Sequence, residues 1–288
     1  MKSQSVSRPL LVVDGDSFAH RAYHALPKSI LRRGGRPGGA IVGFANSLLK
    51  LYETEQPRAV LVGWDTLDSP TFRHIAYEPY QSGRHFDDDL VEQLDMLPEL
   101  VAACGFLNAK GAGYEADDFL ASAVAQEEKR GQETIVASGD RDSFQLASNL
   151  TKIVYPVRGG EMMRVGPKEV QERYGVEPKQ VPDFIALRGD PSDRLPGAKG
   201  IGATSAASLL RKYGKLENIL ADGRLSQQAD ELRLYLRIAT MDSSAPVPKL
   251  PDQTPQWGQA SALAQKWELK QLASRFAKLA TAREKRAS

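Results

Sequence analysis

LLVVDGD, Leu10 to Asp16, sets the reading of the chain. Four apolar residues, ending in a β-branched pair, are too few for a helix and read as a buried strand. Where the strand stops, Asp14-Gly15-Asp16 turns and presents two carboxylates. Asp14 could be a nucleophile, one ligand of a metal cluster assembled from several strands, or part of a strand-ending turn with no chemistry.

The same form recurs. AVLVGWD (Ala59 to Asp65) and TIVASGDRD (Thr134 to Asp142) are apolar strands that end in acid. Between them lie segments with apolar residues at helical spacing: Gly39 to Glu55, Asp89 to Gly105 with an interruption expected at Pro98, and Glu115 to Gly131. The last opens with acids, where a helix dipole favours them, and stops at a glycine. Strand and helix in alternation predict an α/β fold with a mainly parallel central sheet flanked by helices. Ligand sites in such sheets lie beyond the carboxyl ends of the strands. Asp14, Asp16, Asp65, Asp140 and Asp142 fall there, with Glu115, Asp117 and Asp118 at a helix start.

Carboxylates gathered in one cleft repel, and their pKa values rise unless a cation compensates them. No Lys-rich motif sits beside these acids. An all-oxygen donor set points to Mg2+ or Mn2+. The single Cys and four His show no zinc spacing. A pair of such ions about 4 Å apart would activate water and stabilise a leaving oxygen in phosphodiester hydrolysis.

Composition sets the outer bounds. The chain has 288 residues, 41% hydrophobic and 26% charged, which is ordinary for a globular protein of one large domain or a domain with a smaller partner. No apolar run reaches the roughly 20 residues that span a bilayer, so no membrane role is expected. The N-terminus lacks an apolar segment before the first strand, and Cys104 has no partner for a disulfide. Both lead to the expectation of a cytoplasmic, reducing location. A net charge of +2 announces nothing globally, but basic residues gather at Lys28 to Arg36, Arg188 to Lys215 and Lys266 to Arg286.

Past Pro182 the texture changes to a helix, a Gly/Pro-rich loop, a GIG hairpin and a helix ending near Gly214. Gly197, Gly200 and Gly202 would let the backbone approach a phosphate, with the amides opening the next helix as donors. Such contacts are insensitive to base sequence. Asp242 to Gln256 reads as an extended connector, and the C-terminal residues as one or two helices with a frayed end.

VDGDSFAHRAYHALP, GYEADDFLA, ASGDRDSFQL, ALRGDPSDRLPGAKGIGATSA and RYGVEP together resemble the 5′-nuclease (flap endonuclease) family. They are most like its representative in the 5′→3′ exonuclease domain of bacterial DNA polymerase I. The resemblance runs in order from about Leu10 to Leu220, and the chain reads as a stand-alone member. It implies a PIN-like core over 1–180 with a helical arch at about 69–95. It further implies a helix-hairpin-helix region over 181–241, and a connector with C-terminal helices on the core over 242–288. The implied function is hydrolysis of DNA at 5′ flaps, nicks and 5′ ends, RNA-primed ends included, in primer removal, replication and repair. A monomer is expected, with replication or repair proteins as candidate partners.

The resemblance implies residue roles as well. Asp14, Asp65, Glu115 and Asp117 match acids around a first metal ion. Asp140, Asp142 and Asp193 match a second group, with Asp118 and Asp190 nearby or in an outer shell. Asp16 is an addition that could enlarge the site or merely face solvent. Two ions are implied, with a third left open, and K+ on hairpin carbonyls from Gly200 to Ser205. Arg21 matches an arginine facing the active site. In the arch, Arg73 and Arg84 become phosphate contacts and Tyr80 a base-stacking residue. Arg32 and Arg33 lie in a loop expected to touch duplex backbone.

Some positions depart from the family. Gln81 stands where relatives carry a lysine thought to stabilise the scissile phosphate, and Gln supplies no charge there. Arg84 or Arg21 is expected to take over that role. LDSP replaces lysines before TFR, Thr204 replaces a lysine, and Arg194 an asparagine. The alternatives are a catalytically weak binder of branched DNA, a haloacid-dehalogenase-type phosphatase with Asp14 as nucleophile, and a PIN-type ribonuclease. GYEADD and the helix-hairpin-helix have no place in the phosphatase reading, and the latter also argues against the ribonuclease.

Overall fold

The computed structural model describes residues 8–83, 85–157 and 160–287. LLVVD forms β1 (Leu10–Asp14), followed by α1 (Gly15–Ala25), a small hairpin of β2 (Leu31–Arg32) and β3 (Arg36–Pro37), and α2 (Gly39–Glu55). Next come β4 (Ala59–Gly63), α3 (Phe72–Ala76), α4 (Asp88–Ala103), β5 (Leu107–Ala109), α5 (Ala116–Lys129) and β6 (Thr134–Ala137). The antiparallel pair β7 (Thr151–Pro156) and β8 (Met162–Val165) leads to α6 (Pro167–Tyr174) and α7 (Val181–Arg188). The chain ends with α8 (Ala203–Tyr213), α9 (Leu216–Ala221), α10 (Ala229–Ala239), α11 (Trp257–Lys266) and α12 (Lys270–Ala287).

The main sheet has six strands in the order β5-β4-β1-β6-β7-β8, parallel except for β8. β1 is central, and both its faces are buried. Leu10 and Val12 join the core that continues through α5, α7 and α10, whereas Leu11 and Val13 join the core under α1, α2, α4 and α12. A strand covered on both faces reads as an unbroken apolar run, which is why LLVV shows no alternation.

Gly15 is required by a close approach. A Cβ there would lie 2.3 Å from the Trp64 ring. Trp64 is itself anchored, its Nε1 donating to Asn108 Oδ1 at 2.7 Å. The turn after β1 is thus pressed against the residue before Asp65, which brings two strand-end acids together.

Two expectations change here. α4 runs without a break through Pro98. The segment expected to arch holds the short α3, turns through Gly83, and the start of α4. α3 lies against the C-terminal part of the molecule: Arg73 Nε donates to the carbonyl of Ile238 in α10 at 2.9 Å. The connector also docks, with Gln253 hydrogen-bonded to both backbone groups of Val60. α12 stays helical to Ala287.

Candidate metal centre and nucleic-acid interface

Each acid is placed by the end of an element. Asp14 caps α1, accepting from Ser17 N at 2.9 Å through Oδ1 and from Ser138 Oγ at 2.8 Å through Oδ2. Asp65 follows β4 and accepts from Ala116 N at 2.8 Å, holding the start of α5 beside it. Glu115 caps α5, and Asp117 sits in that helix's first turn. Asp140 follows β6 and accepts from Asp142 N at 3.1 Å. Asp190 accepts from Ser192 N, in a loop closed by the Asp190–Leu195 bridge that also carries Asp193.

The acids line two adjoining cavities. One, of about 440 Å³, is walled by Asp14, Asp16, Asp65, Glu115, Asp117 and Asp140, with Arg21 and Gln81 at its edge. The other, of about 450 Å³, is walled by Asp140, Asp142 and Asp190 with Arg141 and Arg188. Asp140 belongs to both.

Burial pushes Asp14 up to about 7, with Asp65 and Asp140 adding repulsion against the Ser17 and Ser138 hydrogen bonds. Burial likewise raises Glu115 to about 7, with Arg73 opposing. Asp117 and Asp142 lie well above the usual carboxylate range, through burial and then neighbouring aspartates. Asp117 Oδ1 is buried with no hydrogen-bond partner. Among the described residues, no three His, Cys, Asp or Glu side chains close into a ready-made ligand group. The carboxylates instead ring the cavities, mutually repelling. An unpartnered buried oxygen in a wall where six carboxylates crowd together fits a hard divalent cation.

Asp16 faces the same cavity and is buried. Its Oδ2 accepts from Asp65 N at 2.7 Å, so one of its oxygens holds the neighbouring strand end. Burial, then Asp65, raises it well above the ordinary value.

Several sequence-based assignments need correction. Asp118 is 0% exposed and not in either cavity wall; Arg73 grips both its oxygens at 2.7 and 2.9 Å. It also accepts from the Glu115 and Asp242 amides. Arg73, 3% exposed, is correspondingly spent inside the protein and offers no phosphate contact. Tyr80 is buried, its hydroxyl donating to Glu115 Oε2 at 3.0 Å, so its ring is not presented to a base. Arg32 is buried and paired with Glu92, while Arg33 remains exposed. Gly197 is buried: a Cβ there would meet Gly189 N at 2.3 Å, so its lack of a side chain serves internal packing.

Other assigned residues remain accessible. Gly200 and Gly202 face open space, with Ser205 exposed on the first turn of α8. Arg21 is exposed at the cavity rim, its Nη2 3.4 Å from the Gly139 carbonyl. Gln81 donates to Asp193 Oδ1 at 3.1 Å. Arg84 lies outside the described residues. Ser138 was missed, although its place between the β6 strand and Asp140 signals a small polar group beside the acids. Arg141 and Arg188, inside the GDRD and LRGD runs, were also missed as walls of the second cavity.

The parallel sheet, the acid-lined cavities at its carboxyl edge and the adjoining helix-loop-helix define a PIN-like 5′-nuclease fold. A solved structure of a bacteriophage T5 flap endonuclease with DNA and metal ions shares it, with a TM-score of 0.68 at 18% identity over 95% of this chain and 100% of that one. The family model for the 5′-3′ exonuclease N-terminal resolvase-like domain matches residues 9–175, and that for the 5′-3′ exonuclease C-terminal SAM fold matches residues 176–262. DNA polymerase I of Thermus thermophilus is 39% identical over 249 residues, covering 83% of this chain and 29% of its own length. DNA polymerase I of Mycobacterium tuberculosis is 38% identical over 240 residues, covering 81% and 26%. The chain therefore belongs to the 5′-3′ exonuclease family, and it spans less than a third of these polymerase relatives.

Proposed function

We propose that the chain hydrolyses DNA phosphodiester bonds at 5′ flaps, nicks and 5′ ends, with divalent metal ions held in the two acidic cavities. The observation that carries this reading is the buried, unpartnered Asp117 Oδ1 within a wall of mutually repelling carboxylates. Asp14, Asp65, Glu115 and Asp117 would hold one ion, and Asp142, with Asp190 and Asp193 near it, the other, with Asp140 between. Mg2+ or Mn2+, when bound, would supply activation of water and neutralisation of charge on the phosphate.

The chain's own residues do the rest. Ser138 and Ser17 fix the Asp14 carboxylate, and the Ala116 amide fixes Asp65. Arg21 sits at the rim where a phosphodiester would enter, and Arg188 flanks the second cavity. The Gly200–Ser205 turn and the α8 amides offer a phosphate-facing surface, and its carbonyls a seat for K+. Contacts of that kind grip backbone, so binding should weaken steeply with salt. We place this activity in the cytoplasm, acting as a monomer in primer removal and repair.

Product mapping on 5′-labelled flap, nicked and RNA-primed substrates with each metal tests the reading, with Asp140→Ala as the inactive control. Tight flap binding without cleavage in either metal would instead favour a branched-DNA binder.

A further inference from the structure

Gln81 occupies the left-handed region with φ of 49°, a conformation a non-glycine residue adopts at a cost. It is held there by both hydrogens of its amide. Nε2 donates to the Tyr80 hydroxyl at 2.8 Å and to Asp193 Oδ1 at 3.1 Å. The Tyr80 hydroxyl passes its own hydrogen to Glu115 Oε2, and Thr71 Oγ1 donates to Glu115 Oε1 at 2.9 Å. The donors run in one consistent direction: Gln81 to Tyr80 to Glu115 on one side, and Gln81 to Asp193 on the other.

The backbone follows the same line. The turn at Gly83 sits against Arg194, so close that a Cβ on Gly83 would lie 2.9 Å from Nη2. Tyr80 is buried between His74 and Glu115. Glu115 walls the first cavity, while the charge of Asp193 is felt at Asp142 in the second.

We propose that Gln81 is a positioning residue that holds Asp193 in register with Glu115 through the Tyr80 hydroxyl, joining the two acidic cavities into one frame before any substrate arrives. It touches no reacting atom; it acts through the two carboxylates it ties. The proposal rests on reading the cavities as metal sites, and its test separates the two ideas.

The test uses the whole chain without DNA, in two readouts: Mn2+ titration by calorimetry, and hydrogen exchange of amides 77–83 and 190–195 in metal-free protein. Gln81→Met keeps the length and removes both donors, on a half-buried turn that leaves the core intact. It should speed exchange in both segments about tenfold and weaken Mn2+ binding about fivefold, because a loosened turn opens locally. Tyr80→Phe keeps the buried ring and breaks only the Tyr80–Glu115 link. The double variant should lose no more than about what the worse single variant loses, the mark of one shared network. Additive losses, or exchange and Mn2+ affinity unchanged in Gln81→Met, overturn the proposal. A wild-type chain that binds no Mn2+ would sink the metal-site reading, while the exchange arm would still decide whether Gln81 clamps the two loops.

Discussion

Asp117 and Asp118 are neighbours in the first turn of α5, and they meet opposite fates. Asp118 turns inward and is neutralised: a bidentate arginine and backbone amides take its oxygens. Asp117 turns to the cavity, where aspartates surround it and one buried oxygen finds no donor. A structural acid is one whose partners come with the fold. An acid for chemistry is one whose partner has yet to arrive. The difference is in supply of positive charge, since both carboxylates are buried or nearly so.

The sharpest way to break that comparison is to remove the inward acid. Asp118→Ala takes the bidentate carboxylate from the buried Arg73 guanidinium and leaves it a 3.6 Å contact with Glu115 and two backbone carbonyls, a change that typically costs about 3–5 kcal/mol. Thermal melts should show a drop of roughly 10 °C, while metal affinity of the folded protein stays near wild type. If melting is unchanged and metal binding vanishes, Asp118 is a ligand and the contrast with Asp117 collapses.

The matching change at the outward acid should give the reverse. Asp117→Asn is expected to lower cleavage by more than ~100-fold, or at least about 2.7 kcal/mol of barrier. Melting of the metal-free protein should rise slightly, because an unpaired buried charge has gone. Single-turnover cleavage and melts on one preparation check both halves. A variant that loses stability and keeps cleavage would show that Asp117 is the structural member of the pair.

Part of this contrast was legible in the sequence. Strand ends carry acids to the carboxyl edge of a parallel sheet, so Asp14, Asp65 and Asp140 could be placed from LLVVDGD, AVLVGWD and SGDRD alone. The two-sided burial of β1 made its run unmistakable. What the local pattern could not show was which acids would find a cation. Arg73 lies 45 residues from Asp118, and another of its partners, the Ile238 carbonyl, 165 residues away. Only the packing of α10 against α3 turns that arginine from a phosphate contact into an internal clamp. Tyr80 is buried by other contacts, its ring against His74 and its hydroxyl on Glu115. Pro98 misleads for a related reason: α4 is held along its length by the core under α2 and α11, which outweighs one missing backbone donor.

Protons can neutralise the same carboxylates, which gives a third test. Asp14 and Glu115 are both pushed up to about 7 by burial, from unfolded values near ~4. Between those limits the folded, metal-free chain holds more protons than the unfolded chain. Stability is therefore full at low pH and is lost as pH rises through about 7. Melts of the metal-free protein should fall by several degrees between about pH 5 and about pH 8. Added Mg2+ should restore more at the higher pH, since it competes with protons for the same oxygens. A melting temperature that rises with pH would mean the cavity acids already have partners, as Asp118 does.

Asp16 stands between the two kinds of acid and yields the smallest effect. One oxygen is spent on the Asp65 amide, a structural duty like that of Asp118. The group nevertheless faces the cavity, and burial and Asp65 raise it well above the ordinary carboxylate range, as at Asp117. Asp16→Asn retains an oxygen able to accept from Asp65 N and removes only the charge. The metal-free protein should gain about 1 kcal/mol, from relief of repulsion without loss of the hydrogen bond. Metal affinity should fall only a few-fold, about 1 kcal/mol or less, since the remaining acids can still enclose an ion. Paired melts and Mn2+ titrations measure both quantities. A large loss of affinity would move Asp16 fully to the side of Asp117, and the turn after LLVV would then add Asp16 to Asp14 among the acids proposed to hold metal.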